Sequence, residues 1–194
     1  MSAWKRLDRV SDAICNEVAK RRDLLEQDAS DAKSAAALIA AFRTEAVLER
    51  GYLTPGDLER IARLKNGGKL SGKTLVALRS NGEAALRQVT TLALKEDDPE
   101  LAIRLLLGLD GVRLPTASCI LAWTQPHRWA VIDVRSWNSI CSLSGGEVKP
   151  LGSVGAKIDH WLDYVRIVGA ASKKLSEHPQ AIDVWLYRYD QLRS

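Results

Sequence analysis

Hydrophobic positions along this chain recur at spacings of three and four residues, the period of helices that each bury one face. Val10, Ile14, Val18, Leu24 and Leu25 predict an amphipathic helix that opens at Ser11 as N-cap and runs to about Gln27. Between Asp31 and Arg50 the run SAAALIAAF is apolar on nearly every side, which predicts a largely buried second helix closed by Gly51 at the C′ position. Thr54-Pro55-Gly56-Asp57 then supplies a capping side chain, a proline at the first helical position and a first-turn acid, so a third helix runs to about Lys65 and stops at Asn66-Gly67-Gly68. A short helix follows Ser71 and ends at Asn81-Gly82. Glu83 to about Lys95 is the next, and Asp98-Pro99 caps one carrying LAIRLLL.

The second half continues the pattern with one interruption. Leu109-Asp110-Gly111-Val112 links two helices tightly, and from Leu114 onward Ala117, Ile120 and Leu121 resume helical spacing. Residues 129 to 132 are the only clearly β-like run; they lead to Asp133 and a helix VRSWNSICSL, for which Asp133 is a favoured N-cap. After the Ser144-Gly145-Gly146 loop, Ser153 opens a long helix with Ile158, Trp161, Leu162, Val165 and Ile167/Val168 inward. Pro179 starts a terminal helix whose Trp185, Tyr187 and Tyr189 cannot share one face. The expected class is all-α.

Composition narrows this without redirecting it. With 194 residues, 46% hydrophobic and 27% charged, the chain is long enough over 1–194 for one compact domain with a sizeable core, or for two small lobes sharing a seam. The stretch MSAWKRLDRVSD lacks the apolar core of a signal peptide, and no window approaches the ~18 apolar residues of a membrane span, so the expected location is the cytoplasm, away from membranes. Cys15, Cys119 and Cys141 are odd in number and form no C-x-x-C pair, which reads as buried reduced thiols rather than a disulfide framework or metal site. His127, His160 and His178 have no ligand spacing. The formal charge of +4 permits an anionic partner, and its distribution says more: from Arg60 to Gly82 there are six basic residues (Arg60, Arg63, Lys65, Lys69, Lys73, Arg79) and no acid.

Within that basic run Gly67 to Thr74, GGKLSGKT, satisfies the P-loop expression G-x-x-x-x-G-K-[ST], and Trp129 to Asp133 has the look of its acidic partner strand. A P-loop needs a buried strand ahead of it, so that backbone N–H groups converge on the phosphates. Leu58, Ile61 and Leu64 instead carry helical spacing immediately upstream, and the chain supplies no parallel sheet. A nucleotide hydrolase is therefore the weakest of three functional readings.

The stretch from Gly108 to Trp137 carries the strongest one. A helix N-terminus beside a permissive glycine exposes unpaired N–H groups that bind phosphate without reading sequence. Leu109, Gly111, Val112, Thr116 and Ala117 match the hairpin L-x-G-V-G-x-x-T-A, and Asp133 follows Gly111 by 22 positions within AVIDVRSW. This segment of about 30 residues resembles the helix-hairpin-helix (HhH-GPD) glycosylase superfamily of base-excision DNA repair. Two positions depart from its pattern. Arg113 replaces the second hairpin glycine, which puts the hairpin conformation in question if that site needs φ > 0. Pro115 stands where lyase-type members carry a Schiff-base lysine, counted as the fifth position from Gly111, and proline has no amine for an imine.

The resemblance implies an all-α, two-lobed, monofunctional DNA glycosylase. It would act as a monomer on double-stranded DNA, without cofactor, metal or iron–sulfur cluster, flipping its target base into a pocket between the lobes. Asp133 would be the catalytic carboxylate; Gly111, Val112, Arg113 and Thr116 would hold the DNA backbone; Trp185, with Trp123 and Trp137 behind it, would line the base pocket. The second reading is a non-catalytic helix-hairpin-helix DNA-binding module in which Asp133 is only a cap.

Overall fold

The computed structural model describes residues 3–26, 47–153 and 155–193, with side chains described from 7 to 23 in the first of these segments. The helices are α1 (Ala3–Glu26), α2 (Val47–Arg50), α3 (Pro55–Lys65), α4 (Gly72–Ser80), α5 (Glu83–Lys95), α6 (Pro99–Leu107), α7 (Leu114–Thr124), α8 (Val134–Leu143), α9 (Ile158–Leu175) and α10 (Pro179–Arg193). No strand occurs among the described residues, so the protein is all-α there. Most of the helix expected over Asp31 to Arg50 lies outside the described residues; its last turn and the left-handed Gly51 (φ 74°) are as anticipated.

Two compact units make up the chain. One comprises Met1–Ala37 and Gln125–Ser194, and the other, Leu38–Thr124, is inserted between those segments. In the first unit α10 packs on α8, α9 and α1, and α1 also packs on α9 and α8. Trp161 and Tyr164, both with no exposed surface, fill its centre from α9. In the second unit α7 packs on α3 and α6, α6 on α5, and α4 on α3. Helix α7 is buried at every position from Thr116 to Thr124, which explains its lack of a polar face.

Local capping chemistry accounts for several boundaries. Thr54 accepts the Asp57 N–H while Asp57 Oδ2 accepts the Thr54 N–H at 2.7 Å, a reciprocal capping box that also receives Arg50 at 2.6 Å. Ser71 and Asp98 cap α4 and α6 through the N–H groups of Thr74 and Leu101.

Four expectations need correction. Ser11 is no N-cap: α1 begins at Ala3, and the buried Ser11 hydroxyl lies within hydrogen-bond distance, 3.1 Å, of both the Leu7 and Ile167 carbonyls. A hydroxyl facing a neighbouring helix serves as an interhelical contact, a role that local sequence cannot distinguish from capping. Ser153 does not open the long helix, which starts at Ile158. The run 129–132 is buried but forms no strand; with no partner strand, its Ala130 carbonyl takes the Trp161 indole N–H at 3.2 Å. Finally, only Cys119 is a fully buried thiol, since Cys15 and Cys141 are half-exposed. Partial burial still pushes both of those thiols above the ordinary range.

Candidate nucleic-acid interface and catalytic carboxylate

The hairpin between α6 and α7 is held by its turn and by α4. The Val112 N–H donates to the Leu109 carbonyl at 3.2 Å, closing the turn. Asn81, directly after α4, accepts the Asp110 N–H through Oδ1 and donates through Nδ2 to the Asp110 carbonyl, each at 2.9 Å. Gly111 has φ +75° and lies so close to α4 that a Cβ there would sit 3.0 Å from the Leu78 backbone nitrogen and 3.2 Å from the Ala77 Cβ. Glycine is thus required twice over, by backbone conformation and by space.

Arg113 resolves its own question. Among the described residues only Ser176 combines a side chain with positive φ, so Arg113 occupies an ordinary conformation. Its carbonyl accepts the Ala117 N–H at 2.9 Å and begins the α7 ladder. The N–H groups of Arg113, Leu114 and Thr116 precede that first bond and are directed to the helix N-terminus, while Pro115 contributes none. Arg113 and Pro115 are exposed; Val112 and Thr116 are buried and anchor the hairpin.

An open cleft of about 680 Å³ joins this hairpin to the GGKLSGKT loop, with Lys65, Lys69, Lys73 and Arg113 around it and no acid among the described residues of its lining. The structure thereby sorts five of the six cations of the basic run into two sets. Arg63 and Arg79 converge on Glu59, at 2.8 and 3.0 Å, and that pair of cations holds the half-buried carboxyl below its usual range, the Arg63 hydrogen bond most of all. Lys65, Lys69, Lys73 and Arg113 make no ion pair among the described residues. The P-loop expression loses its structural premise, because the residues before it are α3, a helix.

Asp133 belongs to the other unit. It is half-buried at the N-terminus of α8, with Oδ1 accepting the Ser136 N–H at 2.9 Å and Oδ2 free of hydrogen-bond partners among the described residues. Behind it lies a buried polar network centred on Asp183 of α10. Asp183 Oδ1 accepts from the Tyr164 hydroxyl and, at 3.1 Å, from the Ser136 hydroxyl; Oδ2 accepts from Gln180 Nε2 at 3.2 Å. Burial, reinforced by the charge of Asp183, pushes the Tyr164 phenol well above its ordinary value, so it stays a donor. Ser136 touches both carboxylates, one through its backbone and one through its side chain.

The three tryptophans are all packed. Trp185 is 7% exposed, with the Arg22 guanidinium 5.5 Å above its ring centroid. Trp137, 2% exposed, donates its indole N–H to the Lys149 carbonyl at 2.9 Å and meets His160 edge-on. Both share a unit with Asp133, whereas Trp123 lies in α7 of the other.

Asn81 and Asp183 escaped the sequence reading. Asn81-Gly82 reads as a helix stop, and its grip on a loop 29 residues away leaves no local signal. Asp183 had one: it lies in α10 beside Ile182 and Leu186, on a stretch where those residues are buried too. No protein-family model, curated protein or solved structure matches the chain.

Proposed function

We propose that this chain is a monofunctional DNA glycosylase that hydrolyses the N-glycosidic bond of a flipped damaged or modified base in duplex DNA. The observation that carries the reading is the hairpin: a left-handed Gly111 against α4, the N-terminus of α7, and an exposed Arg113 beside three lysines that pair with no acid among the described residues. That combination suits a phosphodiester backbone, which is uniformly anionic and needs no base-specific contact. The likeness of Gly108 to Trp137 to helix-hairpin-helix glycosylases supplies the reaction.

Breaking the N-glycosidic bond builds positive charge on the sugar. An ionised carboxylate there stabilises the transition state and orients or deprotonates the attacking water. Asp133 fits that task because Ser136 fixes one oxygen and the second has no hydrogen-bond partner among the described residues. Pro115 removes the amine route, so water is the nucleophile and the abasic strand stays intact.

The N-cap bond of Asp133 equally favours a second reading, a DNA-binding module without chemistry. Release of free base from a panel of oxidised, alkylated, deaminated and hypermodified duplexes decides between them. Wild type is expected to release one class and Asp133→Asn none, with DNA affinity retained. Binding without release across the panel establishes the module instead, and a borohydride-trapped covalent adduct overturns the water mechanism.

A further inference from the structure

We infer that the cleft between the GGKLSGKT loop and the hairpin is a second backbone seat, taking phosphates of a DNA strand next to those held by the hairpin itself. This inference rests on the DNA-binding half of the function proposed above and is independent of base excision.

Three lysines reach the cleft from three places in the fold: Lys65 from the end of α3, Lys69 from the loop, and Lys73 from the first turn of α4. Arg113 adds the fourth cation from the hairpin side. None of the four pairs with an acid among the described residues, and their mutual repulsion is relieved by an external polyanion. Two helix N-termini, those of α4 at Gly72 and of α7 at Leu114, border the same cleft and add to its positive potential.

The lining also separates the two sources of such phosphates. Among the described residues it contains no aromatic ring on which a free nucleotide's base would stack and no carboxylate to help hold its magnesium. The cations are instead spread along an open groove of about 680 Å³, continuous with the hairpin, as suits a run of phosphodiesters.

The test is fluorescence-anisotropy binding of the full chain to a 20-base-pair duplex across a salt series. Lys69→Gln/Lys73→Gln is compared with wild type and with Lys95→Gln/Lys149→Gln, which removes the same charge from exposed positions outside the cleft. Loss of two phosphate contacts lowers the slope of log affinity against log salt by about 1.8 and weakens binding roughly 60-fold at 0.1 M salt. The outer pair should stay near wild type. If the first pair fails to fold, Lys65→Gln/Lys73→Gln carries the same expectation.

Equal slopes for the cleft and outer pairs overturn the inference. So does wild-type binding of magnesium ATP or tripolyphosphate that displaces DNA and is lost in the cleft variant, because the seat is then one for free polyphosphate. Base release from the same preparations is scored separately. DNA binding with a normal cleft effect and no excision sinks the glycosylase reading alone, and absence of duplex binding by wild type sinks both.

Discussion

Replacing Gly111 with alanine tests the hairpin at its most constrained atom. The backbone there has φ +75°, where a Cβ costs ~1–2 kcal/mol by crowding the following carbonyl. The same Cβ would approach the Leu78 nitrogen to 3.0 Å and the Leu78 Cγ to 3.1 Å. The nitrogen belongs to the α4 backbone, which cannot retreat without shifting the helix, so overpacking adds ~1–3 kcal/mol. Gly111→Ala should therefore destabilise by roughly 2–5 kcal/mol. At ~2–4 °C per kcal/mol for a chain of this size, the unfolding midpoint falls by roughly 4–20 °C. Calorimetry or circular dichroism reads this directly, and Arg113→Gly is the matched control. Arg113 holds no left-handed conformation, so glycine there relieves no strain and costs ~0.5–1 kcal/mol through the entropy of the unfolded chain. A Gly111→Ala midpoint within about 2 °C of wild type, or a stabilised Arg113→Gly, would refute the hairpin geometry.

Three further outcomes follow from the same structure. Asp133→Asn keeps a competent N-cap and should change stability by under ~0.5 kcal/mol, whereas Asp133→Ala loses the Ser136 bond and should cost ~1 kcal/mol in a denaturant melt. Asn81→Ala removes both bonds to Asp110 and should cost ~1–2 kcal/mol locally, read as roughly 5–30-fold faster hydrogen exchange at the hairpin amides; unchanged exchange would show that α4 does not hold the loop. Tyr164 should make stability fall in alkali. Its folded pKa lies well above the ordinary 10.0, so its contribution is fully present below pH 10.0 and is lost as pH rises beyond it, when the unfolded phenol ionises and the buried one does not. Denaturant midpoints at pH 8 and pH 11 check this, and Tyr164→Phe should flatten the difference.

Helix existence and most boundaries were legible in the sequence because their causes lie within four residues. The Thr54–Asp57 box, Ser71, Asp98 and Asp133 all cap the helices expected of them, and each bond spans three positions. The crowding of Gly111 by Leu78 and Ala77 was not legible, whereas the tight link between two helices there was, for the same reason. Such interactions are fixed by chain connectivity and hold in any fold that forms the helix.

Tertiary structure decided everything that depends on what faces a residue from afar. Ser11 looked like a cap and is an interhelical contact, because Ile167 lies opposite it across 156 residues. Residues 129–132 looked like a strand and form none, because apolar character requires burial while a strand also requires a partner ladder. The basic run from Arg60 to Gly82 looked uniform, yet Glu59 takes Arg63 and Arg79, and folding brings Lys65, Lys69 and Lys73 around the same cleft as Arg113. Charge is written in the sequence, but whether a cation is spent on a neighbour or left for a ligand is set by distance, which only the packed helices supply.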